Sequence, residues 1–344
     1  MELAPRTPDP NDAPPLRWGI LGTGLIAGAF ADALRLGTRQ ELAVVGSRTL
    51  ERATSFASAH SVAAAVGSYE ELVAADVDVI YVASPHSEHV GHSLLALRAG
   101  KPVLVEKAFT RNASEAKQVF AEAQARDLFV MEAMWSRFLP HYDLVRQLLD
   151  AGALGEVVAV HADHGQKLWP DGPQRLSDPA LAGGALLDLG VYPVSFARMV
   201  LGEFATINAV ATLTPEGVDA QVSAIVTTAT GAHGTLTATM AASTATTAVV
   251  VGTEARVELD GPFYAPITVR LVAPDGSVRT TWRGDRVEGH HGLRYQAAEV
   301  ARCLSNGHTE SALMTHADTL AVMSAMDEIR GQIGVRYPGE DITT

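Results

Sequence analysis

Residues 18–30 read WGILGTGLIAGAF, and this stretch decides how the first half of the chain folds. A short apolar run comes first, and Gly22-x-Gly24-x-x-Ala27 follows it at the start of a run with helical spacing. Glycines at these positions allow a tight turn and let the backbone approach a pyrophosphate, which a helix N-terminus favours electrostatically. In this strand–turn–helix context the motif favours dinucleotide binding over a bare tight turn.

The same alternation of strand and helix continues outward from this motif, from residue 16 to about residue 130. Further short apolar strand candidates begin at Leu42, Val77, Pro102 and Leu128, and helical stretches separate them. Strands that alternate with helices predict a parallel, doubly wound sheet that is covered on both faces. We therefore expect an α/β Rossmann domain over residues 16–136.

The second half has a different pattern. Period-two segments such as AQVSAIVTTAT (220–230) and GTLTATMAAST (234–244) are separated by turn signals, for example Asp260-Gly261-Pro262. Two helical stretches form the last part of the sequence. We expect an α+β domain over residues 137–344 with a large, mainly antiparallel open sheet. The last helix of this domain could return to pack on the first domain.

Composition narrows the class of partner. The chain has 344 residues, a net charge of −13 and a single cysteine, Cys303. This charge argues against nucleic acid as the main ligand, and a lone cysteine excludes an internal disulfide and fits a reducing compartment. We find no apolar run near the ~18 residues that a membrane span needs. Residues 1–15 are polar and rich in proline, so we expect a disordered tail and a cytoplasmic protein with no membrane partner.

The end of the second strand bears on the choice of cofactor. The sequence VVGSRTLERA (44–53) places Ser47 and Arg48 where a site for NAD carries an acid that binds the ribose 2′-hydroxyl. A guanidinium binds a 2′-phosphate and a hydroxyl adds a donor, so NADP is favoured, with Arg52 as a helper and NAD as the other possibility. The alternative is that Arg48 and Arg52 pair with Glu51 or Glu41 on the surface.

The stretch GKPVLVEKAFTRNASEA (100–116) ends a buried strand with Glu106 and Lys107. A lysine in this place either extends its ammonium to solvent or serves chemistry. Open α/β sheets bind ligands at the carboxyl ends of their strands, which supports the second interpretation.

Together with this stretch, GGALLDLGVYPVSFARMVLG (183–202) resembles the Gfo/Idh/MocA oxidoreductases. The segments MEAMWSRFLP (131–140) and MDEIRGQIGVRYPGE (326–340) resemble the dimeric dihydrodiol dehydrogenase and NADP-dependent D-xylose dehydrogenase branch. The resemblance implies that Lys107 is the catalytic lysine, that Tyr192 is the general acid/base in place of the usual histidine, and that Asp188 positions the substrate hydroxyl. It also places Glu106 in the cofactor pocket. One departure is Ala108, where the family has proline.

Simple electrostatics agrees with this assignment. A nearby ammonium favours a phenolate, so we expect Lys107 to bring the pKa of Tyr192 below its ordinary value of about 10. The structural alternatives are a Tyr192 that is bonded to backbone and an Asp188 that is a helix-face charge. Trp135, Arg137 and Phe138 either bind a sugar or polyol at the domain junction or form a packing cluster there.

His86, His89 and His92 do not suit a metal, because a spacing of three residues on a helix spreads them around its axis. We expect no metal, and we expect His86 and His89 to line the mouth of the cofactor site. The predicted cofactor-binding residues are Gly22, Thr23, Gly24, Leu25, Ile26, Ser47, Arg48, Arg52, Ser84, Pro85, His86, His89, Glu106 and Lys107. The predicted substrate-binding residues are Trp135, Arg137, Phe138, Arg175, Asp188 and Tyr192.

The predicted function is an NADP-dependent oxidoreductase that transfers hydride between a nicotinamide and a carbinol carbon of a sugar, polyol or cyclic trans-diol. The alternatives are a reductase of a keto- or anhydro-sugar, a glycosidase with a trapped nicotinamide, and a non-catalytic nucleotide-binding regulator of the same family. The resemblance also implies a homodimer, or a higher homo-oligomer, that associates through the C-terminal sheet.

Overall fold

The computed structural model describes residues 4–284 and 289–340, and its first half contains a six-stranded parallel sheet. The strand order is β3-β2-β1-β4-β5-β6. The chain adds strands on one side of β1 as far as β3 and on the other side from β4 onward. The glycine-rich turn therefore lies at the topological switch point of the sheet, where such folds bind ligands. This confirms the predicted Rossmann fold. The elements are β1 (Arg17–Leu21), α1 (Leu25–Gly37), β2 (Glu41–Gly46), α2 (Leu50–His60), β3 (Ala64–Val66), α3 (Tyr69–Val73), β4 (Val79–Val82), α4 (His89–Arg98), β5 (Val103–Glu106), α5 (Ala113–Arg126) and β6 (Val130–Ala133).

The second half contains an eight-stranded sheet of order β14-β13-β12-β11-β7-β10-β9-β8. All its pairs are antiparallel except β7 with β10, which is parallel, so the predicted α+β class is also confirmed. A π-helical turn, Leu186–Gly190, leads directly into α7. The elements are α6 (Pro140–Asp150), β7 (Val157–Gly165), α7 (Val191–Leu201), β8 (Thr206–Leu213), β9 (Asp219–Thr227), β10 (His233–Thr239), β11 (Ala248–Gly252), β12 (Arg256–Leu259), β13 (Thr268–Val272), β14 (Val278–Arg283), α8 (Leu293–Ser305) and α9 (His316–Ile333).

The last two helices return to the first half of the chain. Helix α8 packs against α1, and α9 packs against α5 and also against α7. Helix α9 therefore joins α5, which follows the loop of Lys107, to α7, which contains Tyr192.

The prediction of a disordered N-terminal tail is wrong for residues 4–15. The Arg6 backbone N–H donates to Asp143 at 2.6 Å and its guanidinium at 3.0 Å. A short 3-10 turn, Pro10–Asp12, begins with an Asp9 side chain that accepts from the Asn11 N–H. Ala13 is fully buried against α8. These contacts join residues far apart in sequence, which a local composition cannot reveal.

One helical run, Pro179–Leu201, is long and apolar enough by composition to cross a membrane, contrary to the expectation of no such run. Of its most apolar window, 83% is buried inside the fold. Packing in the core accounts for this composition, because the run lies between the eight-stranded sheet and α9.

Candidate active site

The turn between β1 and α1 has the shape that a pyrophosphate needs. Gly22 has φ +108°, and a Cβ there would lie 2.8 Å from the carbonyl oxygen of Ala83. Among the described residues, a Cβ at Gly24 would meet nothing within 4 Å, and no side chain caps the first N–H groups of α1. Leu25 is 91% exposed in the first turn. Free N–H groups that face open space at a helix N-terminus fit a dinucleotide phosphate.

The connection from β2 to α2 contains the residues that were predicted to select the cofactor. The Ser47 hydroxyl lies 3.5 Å from that of Thr23, whereas Arg48 and Arg52 are exposed. Glu41 pairs with Arg17 at 3.2 Å instead of with either of them. In the part of the chain that the structure describes, neither Arg48 nor Arg52 forms an ion pair with a carboxylate, so the alternative of surface pairing is not seen.

The histidines after β4 hold backbone turns. The two ring nitrogens of His86 lie 3.2 Å from the carbonyl oxygens of Ala182 and Lys107, so this ring bridges the two halves of the molecule. His89 is fully buried, with its nitrogens near the carbonyls of Ser84, Ala108 and Phe109. Burial lowers the pKa of His86 to about 3 and that of His89 to about 4, which favours neutral rings that each have one N–H to donate. His89 therefore does not line a mouth as predicted, because backbone carbonyls surround its ring.

Lys107 and Asp188 meet although they come from different halves of the chain. Lys107 Nζ donates to the Asp188 carbonyl oxygen at 2.6 Å and to its Oδ1 at 3.3 Å. The guanidinium of Arg175 lies 3.4 Å from the same Oδ1. Burial raises the pKa of Asp188, but the charges of Lys107 and Arg175 outweigh it and bring this pKa well below its ordinary value. The carboxylate is thus ionised, and it is more than a helix-face charge.

Glu106 lies directly before the lysine and is buried. Its carboxylate accepts from the Tyr81 hydroxyl and, at 3.2 Å, from the Lys107 backbone N–H. Burial raises the pKa of Glu106 to about 7. The peptide bond between Lys107 and Ala108 is cis, although Ala108 is not a proline. Pro85 precedes the short turn of His86 and has extended backbone dihedrals.

Tyr192 lies in the first turn of α7, beside Lys107. Lys107 Nζ is 5.4 Å from the centroid of its ring, and the Trp135 indole N–H donates to its hydroxyl at 2.8 Å. Its partner is therefore a side chain and not the backbone. Burial and the Glu106 carboxylate raise the pKa of Tyr192 well above 10. The expectation of a lowered pKa is wrong for this state, because desolvation and the neighbouring acids outweigh the ammonium.

A wall of polar and aromatic side chains continues from Tyr192. Tyr264 stacks on Tyr192 with ring centroids 4.5 Å apart. Gln166 Nε2 donates to the Tyr264 hydroxyl at 3.1 Å and lies 2.9 Å from Nε2 of His164. Sequence reasoning missed Gln166 and Tyr264. Gln166 has a weak sequence signal, because it directly follows β7. Tyr264 has none, because it lies in the connection between β12 and β13.

Two predicted substrate residues lie in the core instead. Arg137 is buried and its Nε donates to the Ser195 hydroxyl at 3.1 Å, while Phe138 is buried beside it. These contacts favour the packing alternative for Arg137 and Phe138, whereas Trp135, on the same short 3-10 turn, reaches Tyr192. No group of three or more His, Cys, Asp or Glu side chains that could hold a metal occurs within residues 4–284 and 289–340.

A dinucleotide turn in one domain and a lysine–tyrosine pair assembled from two domains define a nicotinamide-dependent oxidoreductase. Comparison with known families agrees. Residues 16–134 match the oxidoreductase family with an NAD-binding Rossmann fold, and residues 142–258 match the Gfo/Idh/MocA C-terminal domain. The chain belongs to the Gfo/Idh/MocA family of oxidoreductases.

Individual relatives cover nearly the whole chain. Bovine (Bos taurus) trans-1,2-dihydrobenzene-1,2-diol dehydrogenase is 36% identical in an alignment of 338 positions that covers 94% of this chain and 98% of the relative. KijD10, a 3-ketoreductase from Actinomadura kijaniata solved with NADP and TDP-benzene, superimposes with a TM-score of 0.81 at 27% identity, over 93% of this chain and 98% of that one. Levoglucosan dehydrogenase, solved with NADH and levoglucosan, has a TM-score of 0.81 over the same shares at 20% identity and so supports the fold.

Proposed function

We propose that this protein is an NADP-dependent oxidoreductase that transfers hydride between the nicotinamide and a carbinol carbon of a sugar, polyol or cyclic trans-diol. The observation that carries the proposal is the cluster at the carboxyl end of β5. There Lys107 Nζ lies 2.6 Å from the Asp188 carbonyl oxygen and 5.4 Å from the Tyr192 ring centroid. A cation, a carboxylate and a phenol at one strand end form a unit that can move a proton.

The cofactor, when bound, accepts or donates the hydride. Tyr192 handles the proton, since the Trp135 N–H occupies one lone pair of its oxygen and leaves its own O–H proton free to face the substrate. Its raised pKa keeps that proton in place near neutral pH, as a proton donor to a carbonyl requires. Asp188 holds the Lys107 ammonium, whose charge stabilises negative charge on the reacting oxygen.

The wall beside Tyr192 supports a substrate with several hydroxyl groups. Gln166 uses its amide nitrogen toward Tyr264 and His164, so its Oε1 and the Tyr264 O–H are available to a ligand. The stacked rings of Tyr192 and Tyr264 add an aromatic surface. The names of the relatives, a dihydrodiol dehydrogenase and a 3-ketoreductase, agree with this substrate class.

Reduction of a keto- or anhydro-sugar is the second candidate, and the protonated state of Tyr192 favours it. A regulator without turnover would not need Lys107, Asp188 and Tyr192 to meet, and a glycosidase with a trapped nicotinamide would not release it. We also propose a cytoplasmic location, because the chain has one cysteine.

The test is a screen for turnover with NADP(H) and NAD(H) over aldoses, polyols, trans-diols and keto-sugars. We expect turnover with at least one of these classes, and we expect Lys107→Met to abolish it while cofactor binding remains. Turnover by Lys107→Met at the parent rate would overturn the role of this lysine. Absence of turnover in the parent, with intact cofactor binding, would favour the regulator.

Cofactor preference has its own test in Arg48→Ala. Loss of a guanidinium–phosphate contact of about 1.5–3 kcal/mol predicts a loss of NADPH affinity of roughly 10- to 150-fold. NADH affinity should hardly change, since NADH lacks the 2′-phosphate. Titration of cofactor fluorescence measures both, and Arg279→Ala, on strand β14, is the control. Equal losses for the two cofactors would remove the basis for NADP.

A further inference from the structure

The last described residues of the chain, Val335–Glu340, contact the loop that precedes Asp188 and the loop that follows Lys107. They follow helix α9, which ends at Ile333 and is capped by Gly334 with φ +75°. Val335 and Tyr337 are almost fully buried. We refer to residues 335–340 as the C-terminal segment.

One side of the segment holds the loop that leads to Asp188. The Tyr337 hydroxyl donates to the Gly183 carbonyl oxygen at 2.8 Å, in a buried contact between residues 154 positions apart. The preceding carbonyl, that of Ala182, faces His86. The π-helical turn with Asp188 begins three residues after Gly183, and its first N–H, that of Leu186, donates to Asp219 at 2.6 Å. The loop is therefore fixed from several directions.

The other side of the segment holds the loop that begins at Lys107. Glu340 accepts from the Asn112 side chain at 2.9 Å, and Asn112 caps helix α5 at the end of that loop. The Arg111 guanidinium donates to the Pro338 carbonyl oxygen at 2.8 Å. The C-terminal segment, which is only six residues long, thus contacts both the loop of Lys107 in the first domain and the loop of Asp188 in the second.

The segment is itself held rigidly. Arg330 of α9 donates to both oxygens of Glu340, at 2.9 and 2.8 Å, and its guanidinium lies 4.6 Å from the centroid of the Tyr337 ring. The side chains of Arg330 and Glu340 are only 7% and 8% exposed. The Tyr337 N–H also donates to Glu340 at 2.9 Å. A buried, charge-assisted pair of this kind fixes geometry well.

We propose that the C-terminal segment is a clasp and that Tyr337 is a positioning residue, which sets the Asp188 loop against Lys107. Tyr337 touches neither substrate nor cofactor in this role, and it acts through the Gly183 carbonyl. The inference goes beyond the proposed function but uses the same lysine, so its test includes a measurement that does not depend on turnover.

The test compares Tyr337→Phe, which removes only the hydroxyl, with Tyr295→Phe as the matched control on α8. We expect Tyr337→Phe to lower kcat by about 3- to 10-fold, as for one neutral hydrogen bond, with cofactor affinity within about 2-fold of the parent. In an Asp188→Asn background the same change should cost almost nothing further, because it acts through Asp188. A tyrosine that only stabilises the fold would lower the melting temperature and leave kcat unchanged.

Competitive acetylation of lysines, read by mass spectrometry, tests the clasp without any substrate. Freed from Asp188, Lys107 should react several-fold faster in Tyr337→Phe than in the parent, relative to the exposed Lys167. Glu340→Gln, which weakens the pair with Arg330, should act in the same direction if Tyr337→Phe does not fold. If Lys107 is labelled faster in the variant but the parent protein shows no turnover, the clasp is supported and the proposed function is contradicted. Parental labelling of Lys107 in both variants would overturn the clasp.

Discussion

Tyr192 decides how the reaction should depend on pH. Its raised pKa means that the phenol holds its proton across the neutral range, so reduction should be flat there and oxidation should rise with pH. Tyr192→Phe keeps the ring and removes the proton, and kcat/KM should fall about 10²- to 10⁴-fold. Tyr192→His should retain some activity and move the profile toward the titration range of histidine. Profiles of rate against pH for the parent, Tyr192→Phe and Tyr192→His at saturating NADP(H) test these expectations.

If the Phe form kept the profile of the parent, Tyr192 would be a packing residue. The acid/base would then be sought first at His164, whose ring lies 5.4 Å from that of Tyr192. Burial lowers the pKa of His164 to about 4, so it would have to act as a neutral base.

Glu132 makes a prediction about stability and pH. It is buried, its oxygens accept from the Phe109 N–H at 3.2 Å and the Thr319 hydroxyl at 3.1 Å, and burial raises its pKa from 4.5 to about 7. The folded state therefore binds this proton more tightly than the unfolded state, so the contribution to stability falls as pH rises between about 4.5 and 7. We expect Glu132→Gln to flatten the decline in melting temperature from pH 5 to 8.

Glu216→Gln, in the exposed turn after β8, is the control and should follow the parent. Burial also raises the pKa values of Glu106 and Asp219 to about 7. Part of the decline in melting temperature with pH should therefore remain in both the parent and Glu132→Gln. An unchanged slope in Glu132→Gln would mean that this carboxyl is not protonated in the folded state at neutral pH.

At the scale of the element, the two glycines of the turn between β1 and α1 have different roles: one is needed for the fold and the other for cofactor binding. Gly22 has φ +108° and lies against Ala83, so Gly22→Ala should lower the melting temperature of the cofactor-free protein. Gly24 has φ −82° and open space around it, so Gly24→Ala should leave that temperature nearly unchanged. Its methyl group would enter the space for the pyrophosphate, so cofactor affinity should fall. Calorimetry and cofactor titration distinguish the two, and full affinity in Gly24→Ala would contradict this placement.

Elements with their own local signal could be predicted from the sequence. The glycine-rich turn, the strand that ends in Lys107 and the helix of Tyr192 have recognisable patterns, and the structure contains each of them. Strand β3 has only three residues, Ala64–Val66, and so little periodicity to detect. Gln166 and Tyr264 could not be found, because nearly 100 residues separate these neighbours. The pKa of Tyr192 also depends on burial, which only the assembled fold determines.

At the scale of the whole molecule, the eight-stranded sheet has, among the described residues, one face whose side chains are mostly exposed along β8, β9 and β10. On strands β8, β9 and β10 this face presents small polar residues around Val210, which is 72% exposed, and Ile225, which is 51% exposed. The opposite side chains of the same strands, such as Val222 and Leu236, are buried. Exposed apolar side chains on an open sheet face suit a second copy of the chain, and we propose a homodimer through this face.

The test of the dimer is sedimentation of the parent and of Ile225→Lys over a range of salt concentrations. Each copy carries a net charge of −13, so salt should strengthen association by screening the repulsion between copies. Ile225→Lys would desolvate an unpaired ammonium at the centre of the face, and the variant should sediment as a monomer with an unchanged fold. Val278→Lys, at an exposed site on edge strand β14, is the matched control and should remain dimeric. A monomeric parent, or a dimeric Ile225→Lys, would contradict an interface on this face.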